Sequence, residues 1–494
     1  MSKTIQFNDL TLRDGQQSIA ATRMTTAQAM QVLPHLIEAG YPVLELWGGA
    51  ILDSAVRFLN EDPWQRLEQF YALTNGKTAI RALLRGQNLF AYQPYPDDLV
   101  IAFIKAAVEA GISEMRVFDA LNDERNLQTS LLAVRAYGAL ADGALSYTTS
   151  PVHTSQYYVN YARTLVEMGA QRITIKDMAG ILTPQNTVTL INALKDAVNV
   201  PITIHSHDTA GVGTLNAILA MRAGVDTIDC AVTPFASGNS HPPIEVLLPF
   251  AEMLGIEHNL NTAAILQAQN TLFGIYDELA DVIPNHGKYY APVDPADIDR
   301  RKVESILNLL DKEDAHSLDT AIDETRALLR NLHYPPHDSR IFESQIPGGM
   351  LSNLQNQLRD MQQPDILPQV MAEIPVVRRD VGYVPLVTPT SQIVGSQAVF
   401  NIVSGQRYSF VSEEFKMLLC GEFGRTPIPP NNALVETILD DSHVLKTYRP
   451  ASYLMPVLED VETPPFVHNQ QELLLHLLLG ASADKFLQQQ AASH

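Results

Sequence analysis

Three short clusters carry most of the chemistry open to this chain: His205-Ser206-His207, Lys176-Asp177 and Arg13-Asp14. In an extended strand successive side chains point to opposite faces, so positions i and i+2 share a face. His205 and His207 therefore face one side together and can grip one divalent cation. Imidazole nitrogen plus carboxylate oxygen suits a cation that keeps an open position for substrate, and Asp14 supplies the carboxylate. The bland alternative is a pair of surface histidines at a strand end. Lys176 reads in two ways. As an ammonium it is repelled by a dication and pairs with Asp177 or another carboxylate. As a neutral amine it adds carbon dioxide, and the carbamate so formed is an anionic oxygen ligand.

The elements that would position these residues repeat along the first half of the chain. Strand-like apolar runs at 5–12, 43–47, 80–84, 115–118, 145–148, 172–175, 202–205 and 227–231 alternate with stretches of helical apolar spacing, such as 26–39, 99–110, 157–168, 187–198 and 214–223. Glycines at 40, 111, 169 and 224 punctuate the helix ends. Eight alternations over roughly 250 residues predict a closed (β/α)8 barrel over 4–260. A doubly wound open sheet is the runner-up, but no glycine-rich dinucleotide loop is present. Active residues of a parallel barrel lie at the C-terminal ends of its strands. Asp14, Gly48-Gly49, Arg85, Asp119, Lys176 and His207 all fall there.

Beyond the barrel the pattern changes. Residues 261–340 read as a polar helical linker. Residues 341–465 read as a second, mostly helical domain with Gly/Pro-rich turns, and 466–494 as closing helices. The chain has 494 residues, 34 Lys+Arg against 55 Asp+Glu, and a formal charge of −21. That balance argues against a nucleic-acid partner, whose footprint would be basic and clustered. Only Cys230 and Cys420 occur, which suits a reducing compartment rather than a disulfide framework. No apolar leader is visible, and the leucine-rich stretch 473–479 is too short for a bilayer. A cytoplasmic location follows as the expectation.

Other residues at the strand ends suggest a small anionic substrate. Arg13 and Arg85 can hold a carboxylate by two-pronged hydrogen bonds, or else serve structural ion pairs. Gln17, Asp53 and Tyr92 can orient substrate. Trp47-Gly48-Gly49-Ala50 suggests close backbone approach at the rim. In Ser237-Gly238-Asn239-Ser240-His241-Pro242-Pro243, the Ser240 hydroxyl either carries a proton or simply forms a turn.

Several of these segments resemble a known family, the biotin-dependent pyruvate/oxaloacetate carboxyltransferases. They are Thr11-Leu12-Arg13-Asp14-Gly15-Gln16-Gln17-Ser18, Trp47-Gly48-Gly49-Ala50, Leu83-Leu84-Arg85-Gly86-Gln87-Asn88-Leu89, Phe118-Asp119-Ala120-Leu121-Asn122-Asp123 and Ile175-Lys176-Asp177-Met178-Ala179-Gly180. Later in the chain, Ile346-Pro347-Gly348-Gly349-Met350 and Val387-Thr388-Pro389-Thr390-Ser391-Gln392 match as well. The family includes the carboxyltransferase part of pyruvate carboxylase, the alpha subunit of oxaloacetate decarboxylase and the pyruvate-side subunit of transcarboxylase. The resemblance implies a TIM barrel followed by a helical funnel domain over the active site. It implies a divalent metal (zinc foremost, manganese or cobalt otherwise) held by Asp14, carbamylated Lys176, His205 and His207. It assigns Arg13, Gln17, Asp53, Arg85 and Tyr92 to the 2-oxo acid.

The family usually has threonine where Ser240 stands, and that hydroxyl passes a proton between pyruvate and biotin. The stretch 283–336 is longer than usual and reads as an insertion. No Met-Lys-Met biotinylation motif is present, so a biotin carboxyl carrier protein is expected as a separate partner. A biotin carboxylase or a membrane decarboxylase pump would complete the assembly, around a homodimer. The expected reaction is carboxyl transfer between carboxybiotin and pyruvate. The alternatives are an aldol-type acyl-CoA lyase or synthase on the same barrel, and a non-catalytic assembly subunit.

Overall fold

The computed structural model describes residues 3–91, 93–346, 348–440 and 443–493. Tyr92 and Pro347 therefore lie outside the described residues. Eight parallel strands close into a barrel: β1 (Gln6–Asp9), β2 (Val43–Gly48), β3 (Ala79–Leu84), β4 (Glu114–Val117), β5 (Leu140–Ser146), β6 (Arg172–Asp177), β7 (Ile202–Ser206) and β8 (Thr227–Cys230). β8 pairs back on β1 with Phe7 opposite Ile228, which closes the cylinder.

Local sequence accounts for the alternation. The helix that leads from β1 to β2, α1 (Thr26–Glu38), starts in a capping box between Thr25 and Gln28. Asp62, Thr154 and Thr183 cap later helices through side-chain oxygens that accept backbone N–H groups. The chain leaves its helices through Gly40, Gly111, Gly169 and Gly224, all at positive φ. Each strand carries buried residues along its length, as both faces of a barrel wall require.

Two strand boundaries differ from the sequence expectation. β1 stops at Asp9, whose carboxylate accepts from the Thr11 N–H at 3.1 Å and the Thr11 hydroxyl at 2.6 Å. A five-residue π-helical turn, Thr11–Gly15, follows and presents Arg13 and Asp14. β5 begins at Leu140, five residues earlier than its apolar run, because Asp142 faces a charged interior while Gly143, on the other face, packs against Leu165 and Ala170. Asp142 would be costly there without its partner, Arg116, at 2.7 Å.

Helices Thr262–Glu278, Arg300–Leu310 and Ala315–Asn331 come next. A helical region follows, with Gly348–Asp360, Leu367–Asp380, Thr390–Ser404 and Glu413–Cys420 as its main members. One continuous apolar core joins these helices to the barrel. A polar joint reinforces it: Arg378 donates to the Thr149 carbonyl at 2.9 Å and the Thr148 hydroxyl at 2.8 Å. Helices Gln470–Leu479 and Ala481–Ser493 close the described chain. Among the described residues no helix is long and apolar enough to cross a membrane.

Candidate active site

The C-terminal ends of the strands open into a cavity of about 740 Å³. Asp14, Lys176 and His207 stand on its wall, together with Arg13, Gln17 and Arg85. Met350, Val387 and Thr388 from the helical region and Leu478 from the tail close the other side.

Parallel register sets the metal-binding geometry. Lys176 on β6 and His205 on β7 are direct cross-strand partners, and Lys176 Nζ lies 2.9 Å from His205 Nε2. Asp177 is one residue on and faces away, where Ser206 Oγ donates to it at 3.0 Å and the Ile181 and Leu182 N–H groups cap it. The Lys176–Asp177 ion pair open to the sequence is therefore excluded by strand alternation. Among the described residues Lys176 pairs with no other carboxylate, and burial pushes its ammonium down to about 8.

A further residue enters that the sequence reading missed. His241, in the loop after β8, joins Asp14, His205 and His207 in one fully enclosed group of potential metal ligands. Asp14 Oδ2 lies 3.1 Å from His241 Nε2, 3.5 Å from His205 Nε2 and 3.7 Å from His207 Nε2. Tetrahedral coordination at about 2.05 Å separates neighbouring donor atoms by about 3.3 Å. Each imidazole is oriented by its other nitrogen. His205 Nδ1 donates to Asp229 at 3.0 Å, His207 Nδ1 to the Asn239 carbonyl at 2.6 Å, and His241 Nδ1 to the Ser206 carbonyl at 3.2 Å. Three Nε2 lone pairs are thereby turned on one carboxylate oxygen, an arrangement that a cation at the centre satisfies. Burial tends to raise the Asp14 carboxyl, but the Arg13 guanidinium and the nearby imidazoles overcome it and hold it well below the usual range. Burial, with Lys176 adjacent, depresses His205 far below ordinary imidazole. Asp14 thus offers an anionic oxygen and the imidazoles offer nitrogens, and the residues fit a divalent ion.

The remaining expectations divide. Gln17 and Arg85 line the cavity, and the Arg85 guanidinium donates to the Ala91 carbonyl. Asp53 lines it too, paired with Arg57 at 2.5 Å near the mouth. Arg13 reaches the cavity, but its Nε and one terminal nitrogen both donate to a single oxygen of Glu45, Oε1. Its remaining donors go to Asp14 at 2.8 Å and Gln17 at 3.3 Å. Gly48 supports the close-approach reading: at φ +83° a Cβ there would collide with the Leu83 carbonyl oxygen.

Ser240 stands behind the cavity wall. It is fully buried, its hydroxyl donates to the Phe235 carbonyl at 2.6 Å, and its neighbour Asn239 occupies the cavity wall instead. The turn Ser237–Ser240, closed by the Ser240 N–H donating to the Ser237 carbonyl at 2.9 Å, places Asn239 on the cavity wall and Ser240 behind it. Asp119 is also turned from the cavity and is held by the Leu121 and Asp123 N–H groups.

Comparison with known proteins gives these features a family. Residues 4–272 match the HMGL-like family and residues 341–494 match the conserved carboxylase domain. The chain is 37% identical over 487 residues to a pyruvate carboxylase subunit of Methanocaldococcus jannaschii, covering 98% of this chain and 77% of that protein. It is 37% identical over 460 residues to the methylmalonyl-CoA carboxyltransferase 5S subunit of Propionibacterium freudenreichii subsp. shermanii, covering 92% and 81%. Among solved structures, the carboxyl transferase domain of Rhizobium etli pyruvate carboxylase with pyruvate and biocytin superimposes with a TM-score of 0.76 at 26% identity, covering 99% of this chain and 78% of that one. A closed barrel with an Asp/His cluster at its rim, the carboxylase domain after it and these relatives agree: the chain belongs to the biotin-dependent carboxyltransferases and is an enzyme of that family.

Proposed function

We propose that the enzyme transfers a carboxyl group between carboxybiotin, presented on a carrier protein, and pyruvate, forming or decarboxylating oxaloacetate. The observation that carries this reading is the enclosed Asp14–His205–His207–His241 group beside Lys176, at one end of a cavity large enough for a 2-oxo acid and the biotin head. Pyruvate is named for the Methanocaldococcus relative and accompanies biocytin in the Rhizobium structure, which supports the choice of substrate.

Asp14, His205 and His207, with Lys176 as its carbamate, would hold a divalent cation, and zinc suits the donor set. Bound there, the cation would supply positive charge against a substrate oxygen on which negative charge develops. Arg85 and Gln17 orient the substrate carboxylate and keto oxygen. Arg13 works through Asp14, keeping it ionised and aimed. Asp53 with Arg57 lines the entrance. Leu83, Phe118 and Val387 form an apolar wall that keeps water from the reacting carbon. The proton leaving the substrate methyl would pass to the biotin that has given up its carboxyl group, relayed by a wall hydroxyl such as that of Thr209, Thr388 or Ser391.

In the division we favour, the barrel over 4–260 binds the 2-oxo acid, 261–340 links it to a funnel over 341–465 that admits biotin, and 466–494 closes the mouth. The test is oxaloacetate turnover by the purified chain with and without free biotin. Pyruvate release that requires biotin is expected. Biotin-independent cleavage of an acyl-CoA would replace this reading with the aldol-type lyase.

A further inference from the structure

We infer that His241 is a direct ligand of the rim cation, a third imidazole beside His205 and His207. The inference rests on the metal reading above and extends it to a residue outside the expected ligand set of Asp14, Lys176, His205 and His207. His241 is fully buried, and its ring centroid lies 4.4 Å from those of both His205 and His207. Of the three imidazoles it makes the closest approach to Asp14, at 3.1 Å. The backbone around it is pinned: the Ser237 N–H donates to the His241 carbonyl at 2.6 Å, and the Ala231 N–H to the Pro242 carbonyl at 3.1 Å. The ring is held in place by the fold rather than resting there by side-chain freedom.

Its hydrogen bonding is incomplete without a cation. Among the described residues no donor reaches His241 Nε2. With the hydrogen on Nδ1, donated to the Ser206 carbonyl, the Nε2 lone pair faces a carboxylate oxygen. With the hydrogen on Nε2, the Nδ1 lone pair faces the carbonyl instead. Either neutral tautomer leaves two acceptors in contact at a fully buried ring, and buried acceptors are normally satisfied. A cation between Nε2 and Asp14 Oδ2 removes the conflict and leaves the Nδ1 hydrogen bond in place. Asp14 and three imidazoles then make four protein ligands before Lys176 contributes, so the site retains its metal whether or not Lys176 is carbamylated.

X-ray absorption on the zinc-loaded and cobalt-loaded full chain tests this. Three imidazoles are expected in the wild type and two in His241→Ala. Zinc affinity by chelator competition should fall at least about 100-fold in that variant, since even residues that only orient a ligand cost 10–100-fold. Lys176→Ala should keep one metal per chain and three imidazoles. Two imidazoles in the wild type would overturn the inference, as would unchanged zinc affinity in His241→Gln, which keeps a side chain of similar reach. Should both His241 variants fail to fold, the wild-type imidazole count decides alone. Failure of the wild type to bind either metal would instead remove the metal reading itself, a result distinct from the other two.

Discussion

The barrel holds two dense groups of charged and polar side chains, one above the other, and they are satisfied in opposite ways. In the interior, the guanidiniums of Arg13, Arg81, Arg116 and Arg172 interleave with the carboxylates of Glu45, Glu114, Asp142 and Asp229. Four positive groups meet four negative ones, and the protein supplies both sides. At the rim, Asp14 and three imidazoles turn acceptors toward a single point. Buried charges survive when paired and hydrogen-bonded. The interior pairs its charges within the protein; at the rim Asp14 pairs with Arg13, but His241 Nε2 is left without a partner that a cation would supply. The layers touch through Asp229, which holds His205 from below while accepting from Arg116.

Changing one residue in each layer should separate their roles. Asp14→Ala removes the anionic ligand, so carboxyl-transfer activity should fall on the order of 10³-fold or more, with bound metal lost in parallel. Its unfolding midpoint in denaturant should move little. Arg116→Leu should do the reverse. It leaves Glu45, Asp142 and Asp229 short of a partner and should cost about 3–5 kcal/mol of stability, read by denaturant titration. Equal effects of the two substitutions on both readouts would erase the distinction between layers.

A smaller effect comes from Asp9, the last residue of β1. Burial, with Glu245 and Glu45 nearby, raises the Asp9 carboxyl from 3.8 to about 7 against the pull of its bonds to Thr11. Between those values the folded chain keeps a proton that the unfolded chain has released. Stability should therefore decline as pH rises from about 4 to about 7. Asp9→Asn should flatten that decline in unfolding midpoints taken across the window. A slope unchanged in the variant would assign the pH dependence elsewhere. The smallest effect is expected at Ser240. Its hydroxyl is committed to Phe235, so Ser240→Ala should lower turnover less than about tenfold and cost about 1 kcal/mol of stability. A loss in the range typical of positioned proton transfer, roughly 10²–10⁴-fold, would restore it as a proton carrier.

The strand and helix alternation and the glycine punctuation were legible in the sequence, because each depends on neighbours a few residues apart. The same holds for His205 and His207, whose shared face follows from strand alternation alone. The ordered motifs from Thr11 to Gln392 also carried the family. The early start of β5 was hidden, since Asp142 is tolerable in a barrel wall only through Arg116, on the adjacent strand.

What the tertiary structure decided lies in the loops and in the pairing of distant groups. The sequence set Ser240 and His241 side by side in one turn, and the family resemblance singled out the hydroxyl. Folding buried the hydroxyl against Phe235 and swung the imidazole onto Asp14, more than two hundred residues earlier. It likewise gave Arg13 to Glu45 rather than leaving its fork for a ligand, and set Lys176 against His205 rather than Asp177. Side-chain periodicity states which residues share a face. Which face meets which depends on closure of the cylinder, and only the closed barrel brings the ends of β1, β6, β7 and β8 to one point.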